Sequence, residues 1–179
     1  MRFICPAAIL FLSCLLQANP VLIRATGPLS PEEELEGFTV PDDFQVQLFA
    51  SEPMINKPIN LAWDKKGRLW VSSTVEYPYA AEKDRWADDK GSRVRDSRDA
   101  IKILEDIDGD GKADTVTDFV DGLNIPTGVL PWHRPEHKDG CIAWSIPNIW
   151  YFADTTGDGK ADLREVLFGP MGYERDTHG

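Results

Sequence analysis

Cysteine is scarce in this chain, with three in 179 residues. Cys5 and Cys14 lie near the N-terminus, so only Cys141 remains for the rest and no internal disulfide can form there. Stability must come from core packing and from any bound metal. Positive charge is also short: 19 lysines and arginines face 30 acidic residues, a net charge of −11. A surface this acidic repels a phosphate backbone, which excludes nucleic acid as a partner. No apolar run reaches the roughly 20 residues that a membrane-spanning helix needs. The signatures G-x-S-x-G, G-x-G-x-x-G and C-x-x-C-H are all missing, which removes serine-nucleophile, dinucleotide-fold and c-type haem readings for these residues. Apolar matter itself is not lacking. At 42% hydrophobic residues the chain can build a globular core, which excludes a disordered tail.

The longest apolar run, AAILFLSCLL at residues 7–16, follows Arg2 and precedes Ala18 and Ala25. That layout is an export signal, and residues 1–25 are assigned to it. Cleavage after Ala18 or Ala25, an uncleaved anchor that also uses Val21 to Ile23, and lipidation of Cys14 behind FLSC are the forms open to the segment. The protein is expected to be exported, periplasmic or extracellular. A membrane enters only through an uncleaved or lipidated N-terminus.

Residues 26–43 form a polar lead-in. Ser30 as cap, Pro31 at the first helical position and the glutamates after it predict one short helix. From residue 44 onward strands dominate. FQVQLFA (44–50) alternates through Phe44, Val46 and Leu48, as a half-buried strand does. INLAWDKKGRLWVSS (59–73) reads as two strands around a DKKG turn in which Gly67 takes positive φ. Further strands are predicted at 100–106, 116–120, 140–146, 149–154 and 164–168. Residues 82–99 hold six basic and six acidic residues and read as a charged insertion, either a solvated loop or a lid over a ligand site.

Two acidic loops repeat within this pattern. DIDGDGKAD at 106–114 returns as DTTGDGKAD at 154–162, each between apolar strand-like runs. Calcium takes six to eight oxygen ligands, and carboxylates at alternate positions of a tight glycine-containing loop can converge on it. In the first loop the expected ligands are Asp106, Asp108, Asp110, the Lys112 carbonyl and Asp114. An EF-hand would need Glu twelve positions into the loop and flanking helices; Thr117 stands there and the flanks read as strands. The second loop offers Asp154, Thr156, Asp158, the Lys160 carbonyl and Asp162, with one carboxylate fewer. A solvated acidic turn is the plainer alternative for each. His133, His137 and Cys141 share a four-residue spacing, but Pro135 excludes the helix that would align them as zinc ligands.

Strand, acidic loop, strand at a repeat of 40 to 50 residues suggests propeller blades, and a closed ring needs about four to eight of them. The fold class expected is all-β: an incomplete β-propeller of about two blades over 44–179, after the signal segment and the short helix.

GFTVPDDFQVQLFASEPMINKPINLAWDKKGRLWVSS, with IKILEDIDGDGKADTVTDFVDGLNIPTGV and YERDTHG, resembles the N-terminal part of the bacterial PVC-type membrane-bound dehydrogenases across residues 37–179. Members of that family are similar to soluble pyrroloquinoline-quinone sugar dehydrogenases with a β-propeller, and many add a C-terminal cytochrome c-like haem domain. The resemblance implies oxidation of a sugar or polyol, with pyrroloquinoline quinone as cofactor beside the calcium read from the acidic loops, and electrons passed on to haem c in a further domain. It also implies a base in DTHG: His178 would take the hydroxyl proton as hydride leaves for the quinone, a role that suits an imidazole near neutral pH. The alternative from another class is a non-catalytic, calcium-stabilised propeller that binds polysaccharide or protein.

Overall fold

The structure, a computed structural model, describes residues 27–78 and 97–171. The signal segment, most of the charged insertion and His178 lie outside the described residues. Among those described, no helix is long and apolar enough to cross a membrane.

One short helix, α1 (Pro31–Glu36), forms where the capping signals place it. Ser30 Oγ accepts from the Glu33 N–H at 3.2 Å, and the Glu33 carboxylate accepts from the Ser30 N–H at 2.8 Å. Glu32, Glu33 and Glu34 in the first turn complement the positive end of the helix dipole.

All other regular structure is β. The strands are β1 (Pro58–Trp63), β2 (Leu69–Ser73), β3 (Asp99–Glu105), β4 (Thr115–Leu123), β5 (Gly128–Pro131), β6 (Asp139–Ser145), β7 (Asn148–Asp154) and β8 (Leu163–Phe168). They make two four-stranded antiparallel sheets, β1-β2-β3-β4 and β5-β6-β7-β8, each in chain order. Each acidic loop joins the third and fourth strands of its sheet.

The sheets pack face to face. Period-two alternation sends Ala62, Trp70, Ile101 and Ile103 toward the second sheet, and Val129, Cys141, Ala143 and Phe152 toward the first. Trp70 and Phe119 meet edge to face at 4.8 Å within this core. Each such fully buried side chain contributes on the order of 2–3 kcal/mol. Leu61, Leu69, Val71 and Leu104 point to the other face of the first sheet.

Each sheet is entered through a matching corner. Asn56-Lys57-Pro58 runs into β1 and Asn124-Ile125-Pro126 leads to β5, with Lys57 at φ 42° and Ile125 at φ 47°. A second-strand serine holds each corner: Ser73 Oγ donates to the Asn56 carbonyl at 2.6 Å, and Ser145 Oγ accepts from the Asn124 N–H at 2.8 Å.

Three features differ from the sequence expectations. Residues 44–50 are not a strand, because among the described residues no neighbouring strand shares a ladder with them, and alternation alone does not supply a partner. The short strand β5 escapes prediction because it is four residues long, holds only the adjacent pair Val129-Leu130 with no alternation, and ends on Pro131. Asp99, assigned to the charged insertion, is instead the first residue of β3 and fully buried. Its carboxylate accepts from the Glu76 N–H at 2.8 Å and the Ile125 N–H at 2.9 Å, tying the approach to β3 to the crossing between sheets.

Candidate metal centre

The first acidic hairpin is built by its own side chains. Asp106 accepts from the Gly109 and Gly111 amides at 2.7 and 2.8 Å, which bends the chain through two glycines at φ 79° and 85°. Asp114 closes the loop by accepting from the Ile107 N–H at 2.6 Å. Its own N–H donates to the Glu105 carbonyl at 2.8 Å, the last rung before the turn.

Within that frame Asp106, Asp108 and Asp114 each place a carboxylate oxygen within 4.8 Å of the other two. Two oxygens on one calcium ion, each at about 2.3 to 2.6 Å, stand no more than about 5 Å apart. The trio therefore fits a hard divalent cation, and as bare anions the three groups repel one another. Asp110 is not in the trio; its carboxylate accepts from the Lys112 N–H at 2.8 Å.

The second hairpin has the same turn with different electrostatics. Asp154 is only 1% exposed and accepts from the Gly157 and Gly159 amides at 2.5 and 2.9 Å. Asp162 accepts from the Thr155 N–H at 2.7 Å and its hydroxyl at 2.5 Å. The hydroxyl bond first and the amide second hold the Asp162 carboxyl below the usual carboxylate range. Asp158 accepts from the Lys160 N–H at 3.0 Å, and Thr156 stands in place of a third alternating carboxylate. Among the described residues, Asp154, Asp158 and Asp162 do not form a convergent trio. The second loop satisfies its carboxylates internally.

The histidines and cysteine do not converge either. His137 Nδ1 lies 2.7 Å from the Tyr151 hydroxyl, while Cys141 is buried in the core between the sheets.

One grouping has no counterpart among the sequence motifs. Arg68, on leaving the β1–β2 turn, bonds Asp64 at 2.7 Å and Asp139 of β6 at 2.6 Å. Trp70 Nε1 donates to Asp64 at 3.0 Å and Lys66 pairs with Asp139 at 2.9 Å. This clamp bridges the two sheets beneath a cleft of about 500 Å³ flanked by Trp63, Trp132 and His133. The DKKGR turn shows Asp64 and Arg68 locally, but nothing in it points to Asp139.

A family model described as "Domain of unknown function (DUF7133)" matches residues 30–179. No curated protein and no solved structure matches the chain.

Proposed function

The chain belongs to the DUF7133 family, and on that premise we propose that its two sheets are consecutive blades of a β-propeller whose first outer hairpin holds calcium. The observation that carries the metal is the trio of oxygens from Asp106, Asp108 and Asp114, within 4.8 Å of one another. Support for blades comes from two sheets with the same strand order, matching Asn-x-Pro corners and an acidic hairpin at the same place in each. Calcium would relieve the repulsion in the first hairpin and fix the outer edge of that blade. Titration calorimetry on the full chain should show one calcium site, weakened about tenfold or more by Asp108→Asn, since one charged ligand of three is lost. Absence of binding heat in the wild-type chain would remove the metal from this reading.

A second reading adds catalysis to the same scaffold, favoured by the resemblance across residues 37–179. In it the exported propeller would oxidise a sugar or polyol, bound pyrroloquinoline quinone would supply the hydride-accepting chemistry, and His178 would take the hydroxyl proton. Dye reduction by the full chain with quinone, calcium and a panel of sugars tests this, with His178→Gln as the diagnostic variant. Calcium binding without dye reduction leaves the non-catalytic alternative, a calcium-stabilised propeller that binds polysaccharide or protein.

A further inference from the structure

The first sheet meets residues 47–50 as the second sheet meets β4. At the end of the first acidic hairpin, the Ala113 N–H donates to the Phe49 carbonyl at 2.8 Å; at the end of the second, the Ala161 N–H donates to the Phe119 carbonyl at 2.7 Å. Gly111 lies against Gln47, and Gly159 lies against Thr117. Phe49, Ala50 and Ala113 pack against Leu69, Val71 and Leu104. In the same way Phe119, Val120 and Ala161 belong with the inner face of the second sheet. The offsets are constant: Gln47, Phe49 and Ala50 each precede their counterparts by 70 positions, and Gly111 and Ala113 precede theirs by 48. Residues 47–50 therefore stand, relative to the first sheet, where the middle of an outermost strand stands relative to the second.

There the correspondence breaks. β4 is held by a ladder to β3, whereas residues 44–50 have no strand beside them among the described residues. The face next to them is equally incomplete. Leu61 and Trp63 are 56% and 58% exposed, while Val129, the counterpart of Leu61 on β5, is 7% exposed because the first sheet covers it. An apolar groove of about 390 Å³ is lined by Val46, Leu48, Leu61 and Leu69, with Leu35 of α1 and Phe38.

We propose that residues 44–50 are a donated outer strand, completing a four-stranded sheet whose other three antiparallel strands come from a partner that stacks its apolar face on Ile59, Leu61 and Trp63. The contact repeats the interface already present between the two sheets. Main-chain ladder bonds would supply affinity, and the alternation of Val46 and Leu48 with Gln45 and Gln47 would fix register. A second copy of this chain does not fit the place. Both of its sheets already have four strands, and its β4 or β8 would fall on residues 44–50. The inference rests on the repeated-sheet part of the proposed function and is independent of calcium.

The test uses β3 as the probe, because β3 is the strand that pairs with β4. Lys102 pairs with Asp118 in that ladder, and Asp118 corresponds to Leu48 at the same offset of 70. The full chain with Leu48→Cys, Cys5→Ser and Cys14→Ser is equilibrated in a glutathione buffer with the peptide DAIKILE (99–105) carrying Lys102→Cys. Cys141 stays silent, since burial pushes its thiol pKa up. Mixed disulfide should exceed by about tenfold that formed with a peptide carrying Ile103→Cys instead, since a one-residue slip turns the side chain to the other face. It should also exceed by about tenfold that formed with Lys65→Cys in the chain, and trapping should slow amide exchange across residues 45–49. Equal yields for the two peptides overturn the proposal. So does a disulfide-linked homodimer of the chain that forms in preference to the mixed species.

Discussion

Arg68 shows how a single side chain settles the relation of two sheets. Desolvation raises the Asp64 carboxyl, but hydrogen bonds from Trp70, Arg68 and Lys66 outweigh it, and the group ionises below its ordinary range. Desolvation also raises Asp139, and its bonds to Arg68 and Lys66 outweigh that in turn. Burial alone would lower the pKa of Arg68, yet its two carboxylate partners raise it. A folded-state pKa below the unfolded one gives stability that is present above the unfolded value, about 3.9 for Asp, and is lost as pH falls through the folded value. Arg68→Met should cost about 3 kcal/mol at pH 7, because it leaves two largely buried carboxylates short of a cation. At about pH 3 the gap between variant and wild type should narrow, as the unpaired carboxylates protonate. Urea melts at both pH values check this, and a gap of constant size would contradict the clamp.

The acidic hairpins are one element repeated, so their differences can be read against each other. Gly111 and Gly159 take nearly the same backbone, φ 85° and 84°. Alanine at either should cost about 1 kcal/mol for the left-handed conformation. A Cβ at Gly159 would find its nearest neighbour at 3.9 Å, but at Gly111 it would fall 2.1 Å from Gln47 Nε2. That nitrogen donates to the Asp110 carbonyl at 2.7 Å, so Gly111→Ala must also displace Gln47 and break this bond. Gly111→Ala should therefore be the more destabilising by about 1 kcal/mol, with faster amide exchange at residues 44–50. Equal melting shifts for the two variants would show that Gln47 does not anchor the segment.

At the scale of the molecule, two stacked sheets leave two outer faces. On the second sheet Leu130 of β5 and Phe168 of β8 are 57% and 64% exposed, and among the described residues β8 is an edge strand. Such a face favours association, and a pair of second sheets meeting about a two-fold axis would bury it on both copies. Light scattering should show mass rising with concentration, with Phe168→Glu shifting the chain toward monomer. A wild-type chain that stays monodisperse and monomeric, and melts in one cooperative calorimetric step, would contradict the open stack of sheets.

The sequence by itself determined what depends on near neighbours. Short runs of β-prone apolar residues in LWVSS and IKILE make strands, Gly67 makes the β1–β2 turn, Ser30-Pro31 starts the helix, and the spacing of Asp106, Gly109 and Gly111 makes the hairpin. In each case the partner groups lie within a few residues, so local propensity and turn chemistry suffice. The two acidic loops were legible as a repeat for the same reason. Which carboxylates converge was not, because Asp110 and Asp108 look alike in the string and differ only in where the folded turn points them. Tertiary structure alone decided that Asp139 answers Arg68 across the sheets, that Asp99 is buried rather than part of a charged insertion, and that Phe44–Ala50 has strand periodicity without being a strand. A ladder, an ion pair between sheets and a buried carboxylate each need groups distant in the chain, and no local period encodes which distant groups will meet.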